Sequence, residues 1–215
     1  LSFEYQQSAL IELVALSATL ERLIPETVRL EQAFGQGYGL DYASLNVLTD
    51  DQMFATVISL VERKKQLNVS ALVVVGIGGS NLGTLAVHQA LNGIFFNERN
   101  PTTKLYFADT VDTDYMADLC QLLERELEQG KNILVNVVTK SGSTTETIAN
   151  FEILLELLRR HKPDTYGDFV VVTTDHNSAL YRIAQQEQFA TLVIPEKVGG
   201  RFSVFSAVGL FPLAF

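Results

Sequence analysis

Three stretches of this chain gather residue types that can hold an anion. The first reads Gly76-Ile77-Gly78-Gly79-Ser80-Asn81. It follows the apolar run 72–75, which has the continuous hydrophobicity of a strand buried on both faces. It precedes a segment of helical spacing that carries Leu82, Leu85, Ala86, Gln89 and Ala90. A glycine turn between a buried strand and a helix start leaves backbone N–H groups free and aims the positive end of the helix dipole at the same point. Phosphate suits such a point above other anions, and Ser80 adds a hydroxyl. A tight turn with no ligand would leave the same signature.

The second stretch, residues 137–147, reads VVTKSGSTTET. Thr139, Lys140, Ser141, Ser143, Thr144 and Thr145 crowd between a buried strand and a helix. Ser143 and Glu146 have capping-box spacing, so Ser143 could simply cap that helix. A cap needs one hydroxyl, however, whereas a phosphate has several oxygens to satisfy. The third stretch, residues 196–209, reads EKVGGRFSVFSAVG. Gly199 and Gly200 free the backbone, Arg201 follows, and Ser203 is placed to cap the next helix. An arginine at a strand's carboxyl end binds an anion or favours developing negative charge. The alternative is a surface arginine paired with Glu196.

Two common phosphate motifs do not fit. Counting from Gly76 and Gly78, the dinucleotide fingerprint needs glycine or alanine where Asn81 stands. The triphosphate loop needs Gly-Lys, and Gly83 is followed by Thr84. A nucleotide-binding α/β domain is therefore disfavoured.

These stretches need a scaffold, and the patterning supplies one. Strands are predicted at 72–75, 104–107, 132–138, 169–173 and 191–194, alternating with helices after residue 80, over 112–128, over 143–158 and over 178–188. Such alternation specifies a parallel sheet with right-handed crossovers, whose ligands sit at the carboxyl ends of the strands. Upstream, residues 8–23 have amphipathic spacing that Pro25 ends or kinks. Gly35, Gly37 and Gly39 mark a loop, 40–48 reads as irregular, and Thr49 with Gln52 has capping-box spacing. Phe54, Val57, Ile58 and Val61 then share one helical face. The expected organisation is a helical appendage over 1–69 and an α/β domain over 70–215, a three-layer sandwich around a five-stranded parallel sheet.

Composition bounds the partners. The chain has 215 residues, 47% hydrophobic and 19% charged, with net charge -9, which fits a globular domain. Its basic residues are scattered except for Arg63-Lys64-Lys65 and Arg159-Arg160, each at an expected helix C-terminus, so a nucleic-acid partner is not expected. The single cysteine, Cys120, permits no internal disulfide and suits a reducing compartment. No apolar run has the length of a membrane span, and no membrane partner is expected.

Taken together and in order, GIGGSNLG, TKSGSTTET and VGGRFSVFSAVG resemble the glucose-6-phosphate isomerase family. The resemblance runs from about residue 72 to 215. It implies a flavodoxin-like sugar isomerase (SIS) domain, the N-terminal one of two. It further implies interconversion of glucose 6-phosphate and fructose 6-phosphate through a cis-enediolate, without metal or organic cofactor, in a cytoplasmic homodimer. By the same resemblance Gly79 and Ser80 lie by the sugar and its phosphate, and Thr139, Lys140, Ser141 and Thr144 hold the phosphate. Arg201, with the Gly200 backbone, faces the reacting carbons. Thr139 stands where the family usually has serine, which keeps the hydroxyl. The glutamate base, ring-opening histidine and late lysine of the family match nothing in this chain. They are expected in a second domain beyond residue 215, and this chain reads as a fragment. A non-catalytic module that senses a sugar phosphate is the alternative, though a sensor has no need of Arg201.

Overall fold

The computed structural model describes residues 10–215. Ser8, the expected start of the first helix, lies outside that range. Five strands form one parallel sheet: β1 (Val69–Val75), β2 (Lys104–Ala108), β3 (Asn132–Thr139), β4 (Val170–Thr174) and β5 (Ala190–Val193), in the order β2-β1-β3-β4-β5. The flavodoxin-like α/β sheet read from the sequence is therefore observed. Val73, Val74, Val135, Val137, Val171 and Val172 are fully enclosed, which is why these strands have no polar face.

Among the described residues seven α-helices accompany the sheet: α1 (Leu13–Ala33), α2 (Asp51–Lys65), α3 (Leu82–Asn92), α4 (Thr113–Glu128), α5 (Thr145–His161), α6 (Ala179–Gln186) and α7 (Ala207–Ala214). The chain steps one way from β1 to β2 and the other way from β2 to β3, β4 and β5. With right-handed crossovers, α3 therefore covers one face and α4, α5 and α6 the other. The packing agrees: α7 lies against α2 and α3, and α4 against α5. The chain leaves adjacent strands β1 and β3 in opposite directions, which opens a crevice at their carboxyl ends. The first two anion-type stretches begin there.

Several local expectations change. Helix α1 runs through Pro25 instead of ending before it. Proline removes a bond to the Glu21 carbonyl, but that segment is exposed, so water serves the carbonyl. Residues 40–48, read as irregular, are mostly taken up by a 3-10 helix, Ala43–Thr49. Asp50, not Thr49, caps α2: its carboxylate accepts from the Met53 N–H at 2.8 Å and from the Tyr38 hydroxyl at 2.8 Å. The acid satisfies an orphan donor and meets the positive end of the helix, which a threonine would do less well. Cys120 is half-buried against the core.

At the opposite end of the sheet from the crevice, Lys64 is 8% exposed and its ammonium donates to the Asp168 carbonyl. Burial pushes its pKa from 10.5 down to about 8. The folded state thus binds this proton more weakly than the unfolded chain does. The penalty is complete below pH 8 and disappears as pH rises from about 8 to 10.5. Lys64→Met is expected to stabilise the fold by about 1 kcal/mol at pH 7, because it removes a buried charge without opening a cavity. Denaturant melts at pH 7 and pH 10 should show that gain shrinking; an equal gain at both would rule out the charge as its cause.

Candidate functional site

The site begins where β1 stops. Gly78–Ser80 form one 3-10 turn, with Gly78 at φ 59°, and α3 starts at Leu82. The buried face of α3 is not marked by its leucines. Thr84 and His88 point inward, whereas Leu82 is 55% exposed and Ala86, Gln89 and Ala90 also face outward. Leu85 is half-buried. His88 is a core residue. Its Nδ1 lies 3.2 Å from the Asn92 amide, its ring packs edge-on to Phe96, and burial lowers its pKa. His161 lies 3.4 Å from Glu124, and His176 stacks near Tyr181. None of the three histidines lines the crevice.

The second loop leaves β3 at Thr139. The Gly142 N–H donates to the Thr139 carbonyl at 3.3 Å, closing a turn. Gly142 has φ 67°, and a Cβ there would fall 2.7 Å from the Ser178 Cβ, so both conformation and space demand glycine. The turn gathers hydroxyls: Thr139 and Thr144 oxygens lie 3.0 Å apart, Ser141 and Thr144 oxygens 3.4 Å apart. Ser143 does not cap α5. Thr144 holds the cap position, and Ser143 instead donates its hydroxyl to Ser141 at 3.3 Å. The Thr144 side chain caps nothing either. The first-turn N–H groups of α5 thus remain available beside the hydroxyl cluster.

The third stretch crosses from β5 back over the crevice to the first loop. Gly200–Phe202 form a 3-10 turn against Gly78–Ser80. A Cβ on Gly79 would sit 2.4 Å from the Gly200 carbonyl carbon, so the two backbones are in direct contact. Ser203 does not cap the following helix; Ser206 does, accepting from the Val208 N–H. The Ser203 hydroxyl oxygen instead lies 2.7 Å from the Gly200 carbonyl and 3.2 Å from the Gly79 carbonyl, so its one proton is shared between the two loops. Arg201 is exposed and, among the described residues, forms no ion pair; Glu196 does not neutralise it.

These loops enclose a cleft of about 570 Å³. Gly79, Ser80, Thr139, Lys140, Ser141, Thr144 and Gly200 all line it, and Arg201 adjoins it beyond Gly200 without forming part of its wall. The sequence reading missed Asp175, Asn177, Ser178 and Glu196, which also line it. The signal for the first three was present: Asp175-His176-Asn177-Ser178 is a polar turn at the carboxyl end of β4. Among the described residues Lys140 is the single cation on the wall, which also carries the carboxylates of Asp175 and Glu196. An anion there must be held largely by hydroxyls, backbone N–H groups and helix N-termini.

Comparison with known proteins agrees with this geometry. A family model described as phosphoglucose isomerase matches residues 54–215. The glucose-6-phosphate isomerase of Shouchella clausii is 36% identical over 86% of this chain and 42% of that protein. That of Streptococcus equi subsp. zooepidemicus is 34% identical over 100% of this chain and 49% of that protein. The crystal structure of a hypothetical protein from Thermus thermophilus superposes with a TM-score of 0.71 at 30% identity, covering 94% of this chain and 46% of that one. The chain thus spans about half the length of the relatives it matches. Among the described residues no helix is long and apolar enough to cross a membrane. With the family model extending across all three site loops, the chain belongs to the phosphoglucose isomerase family.

Proposed function

We propose that the whole protein interconverts glucose 6-phosphate and fructose 6-phosphate and that this chain holds the phosphate end of the sugar. The observation that carries the reading is the single cleft that unites all seven predicted binding residues at the sheet's switch point. In this reading the phosphate oxygens accept from the hydroxyls of Ser80, Thr139, Ser141 and Thr144, from the open first turn of α5, and from Lys140. With the phosphate fixed, the sugar carbons extend toward the seam between Gly79 and Gly200. Arg201 then faces C1 and C2, where proton transfer creates an enediolate. A fixed guanidinium favours that new charge more than it favours the neutral carbonyl of the substrate. The proton-carrying base and the ring-opening group are assigned to the remainder of the whole protein. The same reading makes the whole protein a cytoplasmic homodimer that works without metal or organic cofactor.

The test is kinetic. The protein expressed from its complete reading frame should convert glucose 6-phosphate to fructose 6-phosphate. Ser141→Ala with Thr144→Ala should weaken sugar-phosphate binding by about 1–3 kcal/mol through the lost donors. No conversion by the wild type would sink the assigned reaction, and unchanged affinity in the double variant would remove the phosphate role of this loop.

A further inference from the structure

We infer that Thr174 and Ser178, which touch no substrate in the proposed reading, are positioning residues for the phosphate loop. They lie on β4 and at the start of α6, and both are buried, Thr174 completely and Ser178 at 7% exposure. The Thr174 hydroxyl lies 2.6 Å from the Thr139 carbonyl and 2.8 Å from the Ser178 hydroxyl, and the Ser178 oxygen lies 3.0 Å from the Tyr181 N–H.

The direction of this relay follows from donor counting. A carbonyl only accepts, so Thr174 uses its one proton on Thr139. Ser178 must then donate to Thr174, and its own oxygen accepts from the Tyr181 N–H. Every hydroxyl proton has one destination, and the chain runs unbroken from the first turn of α6 to the carbonyl where the phosphate loop begins. That carbonyl is also the acceptor that closes the Thr139–Gly142 turn. A second tie runs parallel, from the Asp175 N–H to the Lys140 carbonyl at 3.2 Å, and Gly142 packs directly on Ser178.

The consequence lies in the hydroxyl spacing. The Thr144 hydroxyl oxygen lies 3.0 Å from that of Thr139 and 3.4 Å from that of Ser141, a cluster that the turn alone does not rigidify, since Ser141 is exposed. The β4–α6 corner holds the carbonyl from which the cluster hangs. Valine at 174 has the shape of threonine but no proton, and it leaves both Thr139 and Ser178 with one partner fewer.

This inference rests on the phosphate role proposed for the loop, so its test is run with the Ser141→Ala/Thr144→Ala variant alongside. In the complete protein, Thr174→Val is expected to raise KM for glucose 6-phosphate roughly 10-fold with kcat within about twofold, because one buried hydrogen bond that orients several ligand contacts is lost. The inhibition constant of inorganic phosphate should rise in parallel, and Thr174→Ser should restore both. A merely structural role would lower the melting temperature and leave the phosphate constant untouched; that result overturns the inference. If Thr174→Val leaves KM unchanged while the double variant raises it, the relay fails and the phosphate reading stands. If neither variant changes KM, the phosphate reading itself fails. Should Thr174→Val not fold, Ser178→Ala removes the donor to Thr174 and is expected to raise KM roughly threefold; no change there equally overturns the relay.

Discussion

Replacing Arg201 with alanine in the complete protein is expected to lower kcat by roughly 10²–10³-fold with a much smaller change in KM, the signature of an interaction made in the transition state. The argument rests on where the guanidinium is and on what it lacks. Arg201 follows Gly200, whose backbone touches Gly79, so its Cα is fixed at the seam of two glycine loops. It forms no ion pair among the described residues, although Glu196 lies in the same stretch. A guanidinium already neutralised by a carboxylate would have little left to offer an enediolate; this one keeps its whole field. Arg201→Lys should recover only part of the loss, since an ammonium supplies charge but not the planar pair of donors. Steady-state kinetics on both variants decides it. A raised KM with unchanged kcat would make Arg201 a binding residue and return its role to the phosphate.

What the sequence disclosed follows a physical pattern. The strands were legible because a parallel sheet covered on both faces leaves no polar alternation: 72–75 and 169–172 are apolar runs of that kind, and 133–138 is broken only by Asn136. The glycine loops were legible because they break those runs abruptly. Helix caps were less so. Around α2, α5 and α7 the chain offers two or more cap candidates within a few residues, and local spacing cannot choose between Thr49 and Asp50, Ser143 and Thr144, or Ser203 and Ser206. Tertiary contact made the choice: Ser203 is drawn off to the carbonyls of Gly79 and Gly200, which leaves the cap to Ser206.

The inner face of α3 is not legible in the sequence, for a related reason. Its leucines mark Leu82 and Leu85, yet Thr84 and His88 are buried. A Cβ on Gly83 would meet the Val204 side chain at 2.8 Å, so that helix turn is pressed against the third stretch. This orientation depends on a segment far along the chain, invisible to any periodicity within α3. The cleft wall from β4 and α6 was missed because Asp175 to Ser178 reads as an ordinary turn. Only the sheet order shows that its strand lies next to β3.

The second large effect is expected at that same long-range contact. Gly79→Ala would place a methyl group 2.4 Å from the Gly200 carbonyl carbon, 2.5 Å from its oxygen and 2.8 Å from its Cα. All three are backbone atoms, so no side chain can swing away. The loops must part by roughly 1 Å, a displacement that costs on the order of 10²-fold in kcat/KM when it falls between groups that act on one substrate. Overpacking of this kind also costs about 1–3 kcal/mol of stability. The Ser203 bond to the Gly79 carbonyl, already 3.2 Å, would be the first to break. Unlike Arg201→Ala, this change should both lower kcat and raise KM, because Ser80 on one loop and Arg201 on the other address opposite ends of the sugar in the proposed reading. Gly39→Ala, with no atom within 4 Å of the added carbon, is the matched control and should leave both constants unchanged. If Gly79→Ala kept wild-type kcat/KM, the two loops would not need their contact to act, and the seam could not be what sets Arg201 against the phosphate. A loss confined to stability, with kinetics of the folded fraction intact, would reduce the contact to packing. A lower kcat together with a higher KM requires that the distance between the loops be part of the chemistry.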